Sequence, residues 1–413
     1  MINSYSYIIV AALFLELLLD VIADVLNIRA MKRRIPADLV GVYKPEEYRK
    51  SQDYTRSRTS FGLVVSLFGL LTIVLFWFMG GFNYLDQMVR SWGFGVILNG
   101  LCYTGILVIA YMLLTLPFNI YSTFVIEERF GFNRTTPYVF VTDLIKGITI
   151  TILLGGSLLA GILCLFEYAG NYAWLYCWIV VIIYMMVVQL IAPIWIMPLF
   201  NKFTPMKSGG LKDAIQNYAN SVGYRVGNIS VMDGSKRSNK TNAFFTGFGR
   251  TKRIALFDTL VSKHTVQELV AVLAHEIGHY KKKHVLQGIV IGIAHAGLSL
   301  FLLSVILGDS ALYKAFYMEQ TSVYAGILFF GLLYTPIEMI LSIVLQVFSR
   351  RREFEADRFA CETTGDTISL IDALKKLATE NLSNLTPHPF YVFLKYSHPP
   401  IHQRVKAILK YEI

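Results

Sequence analysis

Seven stretches of about 20 mostly apolar residues, near 7–26, 61–82, 94–117, 144–166, 173–195, 285–307 and 322–347, leave this chain few ways to fold. Each is long enough to cross the roughly 30 Å hydrocarbon core of a bilayer as an α-helix. Inside hydrocarbon only helices and closed barrels satisfy every backbone N–H and C=O. Composition points the same way: 54% of the 413 residues are hydrophobic and only 16% charged, with a mean hydropathy of +0.50, too apolar for an ordinary soluble chain. The expectation is a mainly α, multi-pass membrane protein with seven spans.

The first stretch lacks a basic leader and carries Glu16, Asp20 and Asp24, so it reads as a retained span and not as a signal peptide. Those carboxylates recur every fourth residue and share one helix face, which is expected to look into the bundle or a wet cavity, because a lipid-facing charge costs roughly 2.5–3.5 kcal/mol. Asn99, Gln189, His295 and Glu338 add polarity inside spans and are read as interhelical hydrogen-bonding groups. The connector after the first stretch holds Arg29, Lys32, Arg33, Arg34, Lys44, Arg49, Lys50, Arg56 and Arg58, whereas the opposite connectors carry only Arg90 and Lys314. The basic side is expected to be cytoplasmic, with the N-terminus outside and the C-terminus inside. The net charge of +10 therefore reads as topology and contact with anionic membrane lipid. No nucleic-acid partner is expected, since the basic residues flank spans and do not interleave with aromatics in a soluble module. Cys102, Cys164, Cys177 and Cys361 show no paired spacing, so no disulfide framework is expected.

Hydropathy divides the chain into 1–195, with five spans and cytoplasmic loops 27–60 and 118–143; a polar segment 196–284; two spans in 285–347; and a second polar segment 348–413. Within the first polar segment, 211–222 has helical spacing, the stretches around 229–249 and 252–258 read as short strands with glycine turns, and 265–284 is helical again, opening on a polar cap and closing in a basic turn. The last two spans form a there-and-back hairpin. Residues 284 and 348 thus emerge on one face, and the two polar segments can meet.

The chemistry lies where they meet. The helical stretch contains His-Glu-x-x-His at 275–279. Residues four apart on a helix face the same way, so His275 and His279 offer two imidazoles to one Zn²⁺, and Glu276 points where an attacking water is held, as a general base requires. A catalytic zinc needs a third protein ligand and an open position. The segment "SRRREFEADRFA" at 349–360 offers Glu353, Glu355 and Asp357. Glu353 and Asp357 share a helix face, and Glu355 points away from both. Glu353 is assigned to the metal, one zinc per chain. Asp357 is placed behind the ligands, accepting a hydrogen bond from a ligand histidine or steadying the nearby loop. His264, His284, His295, His388 and His402 read as surface or packing histidines, His284 being the nearest to the site.

An ordered set of motifs resembles one family: "EERFGFN" at 127–133, "PLFNKFTP" at 198–205, "NAFFTGFGRTKRIALFDTL" at 242–260, "HEIGH" at 275–279, "SRRREFEAD" at 349–357 and "SHPPIHQR" at 397–404. Together with the spans, they make the chain similar over nearly its whole length to the integral-membrane zinc metalloproteases of the Ste24 type, the CAAX prenyl endopeptidases of the M48 group. The resemblance implies seven transmembrane helices forming a barrel around a large water-filled chamber, capped by a cytoplasmic gluzincin-type α+β protease domain whose zinc is held by His275, His279 and Glu353. It also implies that Asn242, Ala243 and Phe244 hold the substrate backbone by strand addition. His398 and Arg404 match positions beside the zinc, where they stabilise an oxyanion or bind the substrate carbonyl.

The partners implied are a peptide or protein substrate, prenylated or not, and membrane lipid. "LKYEI" lacks a dilysine-type signal, so a bacterial or archaeal plasma membrane stands beside the endoplasmic reticulum as the expected location. The readings weighed against CAAX processing are quality-control cleavage of membrane proteins, as in HtpX-like proteases, and a non-hydrolytic lipid- or isoprenoid-binding chamber with a structural zinc.

Overall fold

The structure is a computed structural model that describes residues 2–31, 35, 41–225, 227–246 and 253–411, with 244–246 and 253 described by backbone alone. Lys32, Arg33 and Arg34 of the basic connector and 247–252 of the strand motif lie outside the described residues.

Long helices dominate. They are α1 (Ser4–Ala30), α2 (Pro45–Phe78), the short α3 (Gly81–Ser91), α4 (Val96–Tyr121), α5 (Pro137–Ile150), α6 (Ser157–Tyr168), α7 (Ala173–Ile191) and α8 (Met197–Phe200). Single π turns carry α4 on to Glu127, join α5 to α6 and join α7 to α8. The third span thus runs ten residues past the expected 117, through Pro117 and on by the π turn to Glu127. Among the described residues six helical stretches are long and apolar enough to cross a membrane: Pro45–Phe78, Val96–Glu127, Pro137–Tyr168, Gly170–Phe200, His284–Ile306 and Val323–Thr364. At 27 residues α1 also has the length, and it carries Glu16, Asp20 and Asp24. The C-terminal end of its acidic face meets Lys395: Asp24 is buried, and Lys395 Nζ lies 3.1 Å from Asp24 and 3.3 Å from Asp20, while Glu16 is exposed. Elsewhere large apolar side chains such as Leu67, Leu75, Ile152, Ile183, Val290 and Ile340 are exposed, as a lipid-facing surface requires.

The polar segments build a separate core. It contains α9 (Gly210–Ser221), α10 (Asp258–Lys263), α11 (Val266–Lys281) and a four-stranded sheet of β1 (Phe203–Pro205), β2 (Asn228–Met232), β3 (Ala243–Thr246) and β4 (Arg253–Phe257). The sheet order is β1-β2-β4-β3, with β2 and β4 parallel and the outer pairs antiparallel, so β3 is an edge strand. The helix α12 (His284–Ile306), the short α13 (Ser310–Ala315) and α14 (Val323–Thr364) follow, then α15 (Thr367–Glu380), α16 (Pro389–Lys395) and α17 (Ile401–Ile408). Ile215, Leu256, Leu260, Leu269, Ile277 and Leu374 fill the space between sheet and helices.

Two features position the site. At 42 residues α14 reaches about 63 Å, twice the thickness of a bilayer core, so the polar half that begins at 348 continues without a break into the protease-like core. Against it lies α11, whose Gly278 lets the backbones approach: a Cβ there would stand 3.1 Å from both the Cα and the carbonyl oxygen of Ala356. A second core of Ile9, Trp77, Phe82, Tyr103, Leu163, Phe316 and Phe329 ties the other helix ends together, with Trp77 donating to the Ala315 carbonyl at 2.8 Å.

Candidate active site

The α11 helix begins with a reciprocal cap: Thr265 Oγ1 accepts from the Glu268 amide, and the Glu268 carboxylate accepts from the Thr265 amide at 2.9 Å. Three turns on, His275 and His279 stand side by side, their Nε2 atoms 3.2 Å apart. Glu353, reaching across from α14, brings Oε1 to 3.3 Å from His279 Nε2 and Oε2 to 3.4 Å from His275 Nε2.

These edges fit a metal. Tetrahedral ligand atoms about 2.0–2.1 Å from a zinc-sized ion stand roughly 3.3 Å from one another. Glu353 Oε2 is buried and accepts no hydrogen bond of good geometry, although Arg404 Nη1 is 3.4 Å away. Two imidazole nitrogens and a buried carboxylate that converge in this way are the donor set of a cation.

The proton pattern behind the ligands agrees. Asp357, wholly buried, brings Oδ1 to 2.9 Å from His275 Nδ1. A proton on that Nδ1 leaves Nε2 as the ligand atom. Arg404, 8% exposed, closes a two-pronged pair on the same carboxylate, Nε to Oδ2 at 2.8 Å and Nη2 to Oδ1 at 2.6 Å. Its Nη2 also lies 3.3 Å from His275 Nδ1, which is a packing contact once that nitrogen's proton belongs to Asp357. Burial and the Arg404 charge push the His275 imidazole down, but hydrogen bonds to Asp357 and Glu353 outweigh them, and without metal it is pushed up to about 9. Burial alone would lower Arg404; Asp357 and Glu353 hold it above its ordinary value.

A cavity of about 770 Å³ opens over this set. Half-buried Glu276 lines it beside His275 and His279, as do Asn242 and Ala243 at the start of β3. Phe244 pairs with Ala255 through its backbone, and its side chain lies outside the described residues. The opposite wall carries His398, whose side chain is 65% exposed, with Nε2 3.3 Å from Glu353 Oε1 and Nδ1 2.9 Å from Ser397 Oγ. The structure thus gathers His275, Glu276, His279, Glu353, His398 and Arg404 around one cavity, with Asp357 buried behind them. Arg404 faces Asp357 with its fork, whereas His398 faces the open space.

Several groups around the site carry no sequence signal. Arg350 donates to the carbonyls of Val392 and Tyr396 and so anchors the turn that presents His398. Asn381 clamps Thr241, two residues before the edge strand, accepting from its amide at 3.0 Å and donating to its carbonyl at 3.1 Å. His284 lies against His279, and Glu355, on the face of α14 away from Glu353 and Asp357, reaches His284.

Comparison with known proteins places this arrangement. Residues 205–412 match the model described as peptidase family M48, and residues 24–202 match the model described as CAAX prenyl protease N-terminal, five membrane helices. The chain belongs to peptidase family M48. Among the M48 relatives, it is 33% identical to CAAX prenyl protease 1 of Saccharomyces cerevisiae over 91% of this chain and 88% of that protein. It is 33% identical to a CAAX prenyl protease 1 homolog of Oryza sativa over 98% and 97%, and 32% identical to one of Homo sapiens over 91% and 88%. The crystal structure of S. mikatae Ste24p matches with a TM-score of 0.94 and 31% identity, covering 99% of this chain and 100% of that one. This M48 chain is a multi-pass membrane metalloendopeptidase, and the converging histidines and glutamate could hold a metal ion.

Proposed function

We propose that the chain is a zinc-dependent CAAX-type endopeptidase that cleaves near the C-terminus of prenylated peptides, with His275, His279 and Glu353 holding one zinc. The observation that carries this reading is the 3.2–3.4 Å spacing of their ligand atoms on a cavity shared with Glu276 and the edge strand. When bound, zinc lowers the pKa of water and polarises a carbonyl. Glu276 takes the proton of the attacking water and returns it to the leaving amine. Asn242, Ala243 and Phe244 align the substrate as an added strand, for which the free edge of β3 is suited. His398 donates to the oxygen on which charge develops, and its exposure to the cavity supports that role. Arg404 acts through Asp357, orienting His275.

In the membrane, α1 serves as the seventh span, its carboxylates turned into a chamber between the helices. The protease core lies on the cytoplasmic side, in the endoplasmic reticulum of a eukaryote or the plasma membrane of a prokaryote. The partners are a peptide substrate and membrane lipid.

The test is Glu276→Gln, which keeps the metal and the fold and lowers turnover about 10²–10⁴-fold. Undiminished cleavage by this variant rejects the mechanism. A farnesylated and an unmodified version of one peptide, compared by kcat/KM, test the substrate class; equal values favour general membrane-protein cleavage.

A further inference from the structure

A break in the chain folds a third histidine back onto the metal ligands. The α11 helix ends at Lys281 and α12 begins at His284. On a continuous helix residues 279 and 284 would be about 140° apart and could not touch. Lys283 instead takes the left-handed conformation at φ 61°, uncommon for a residue with a side chain, and nothing in its sequence, such as glycine or asparagine, invites it. The result is that the His284 and His279 rings meet edge to face, 5.1 Å between centroids, with Nδ1 to Nδ1 at 3.0 Å. His284 is 5% exposed, and its Nε2 lies 3.0 Å from Glu355 Oε2 on α14.

One proton arrangement satisfies every group in this row. His279 Nε2 faces Glu353 and His275, so its proton sits on Nδ1. His284 Nδ1 accepts that proton's hydrogen bond, which places the proton of His284 on Nε2, directed at Glu355. Each nitrogen then has a defined role. His275 is oriented by Asp357; His279 lies too far along the helix for Asp357 to serve it as well, and the row from His284 to Glu355 supplies its counterpart.

We propose that His284 and Glu355 are positioning residues for the metal site: Glu355 fixes the tautomer of His284, and His284 fixes the tautomer and ring plane of His279. The proposal rests on the zinc-site reading above. The left-handed turn at Lys283 is what brings His284 to His279.

The experiment measures the zinc dissociation constant of the full-length detergent-solubilised protein, stripped of metal, by competition against a chelating dye. Folding is checked on the same samples by thermal unfolding without metal. His284→Ala is expected to weaken zinc 10–100-fold, as loss of groups that orient metal ligands does. Glu355→Ala is expected to weaken it as well. Glu355→Gln keeps an acceptor oxygen for His284 Nε2–H and is expected to stay within about threefold of the parent. Glu355 is more than half exposed, so its variants fold even where His284→Ala does not. A purely structural role would lower the unfolding temperature and leave the zinc constant of the folded protein unchanged. Parental zinc affinity in Glu355→Ala, or equal weakening by Glu355→Gln and Glu355→Ala, overturns the proposal. A parent that binds no zinc overturns the zinc-site reading itself, and that outcome is distinct from the others.

Discussion

Replacing Arg404 by Met strips the countercharge from Asp357, and the cost follows from the geometry. Asp357 is 0% exposed, and two of its hydrogen bonds come from the guanidinium. Hydrogen bonds to charged groups contribute about 1.5–3 kcal/mol each. Breaking a buried ion pair by removing one partner costs about 3–5 kcal/mol, because a charge is left without compensation. Both routes give a loss of about 3–5 kcal/mol in the protease core. The sign of the coupling is also set. Adding Asp357→Asn removes the stranded charge while keeping an acceptor for His275, so the double variant should be more stable than Arg404→Met alone by about 1–3 kcal/mol. Cys361, 4% exposed in the same core, offers a local probe. In a protein carrying Cys361 as its single thiol, labelling by a thiol-reactive dye during urea titration reports unfolding of this core. The metal-free form is used, since bound metal adds stability by mass action. A loss under about 1 kcal/mol for Arg404→Met, or a double variant less stable than the single one, refutes the argument that Arg404 is committed to Asp357.

Gly278→Val places a branched side chain against the Ala356 backbone, which cannot rotate away, and should cost about 1–3 kcal/mol and weaken metal binding by parting α11 from α14; parental metal affinity would show that the close approach is dispensable. The metal-free protein has its own pH dependence. His275 is raised from about 6.5 to about 9, so its contribution to stability is complete below about 6.5 and is lost as pH rises through about 9. Unfolding midpoints of the metal-stripped protein across that window check the sign, and a stability that rises from 6.5 to 9 contradicts it. Zinc loading near pH 7.5 should correspondingly release about one proton, which appears as a dependence of the binding enthalpy on the ionisation enthalpy of the buffer.

Much of the site is legible in the residues. Two histidines four apart with a glutamate between them need only one helix to become a metal-binding face, and Thr265 with Glu268 marks where that helix starts. Glu353 is also readable, given that a membrane hairpin must return the chain to the side it left. Glu355 gave no sign of its partner, for a physical reason. It faces away from Glu353 on α14, but what it meets there depends on the turn at Lys283, and a lysine gives no sign of a left-handed break. The partner of Arg404 was equally hidden: the sequence pattern offers it Glu276, Glu353 and Asp357, and only the folded geometry gives the last the two-pronged pair. The short β1 escaped notice because three residues are too few to show a period.

The sequence by itself determined that this chain enters a membrane, that its polar segments meet on one face, and which residues are the candidates for the metal chemistry. Span length, helical spacing and residue type are local properties, and each is written within about twenty consecutive positions. The tertiary structure decided the rest: the pairing of Asp20 and Asp24 of α1 with Lys395, the approach of α11 to α14 at Gly278, and the histidine row behind His279. Those depend on which surfaces meet across hundreds of residues, where a contact of 3 Å is set by packing and not by any pattern along the chain.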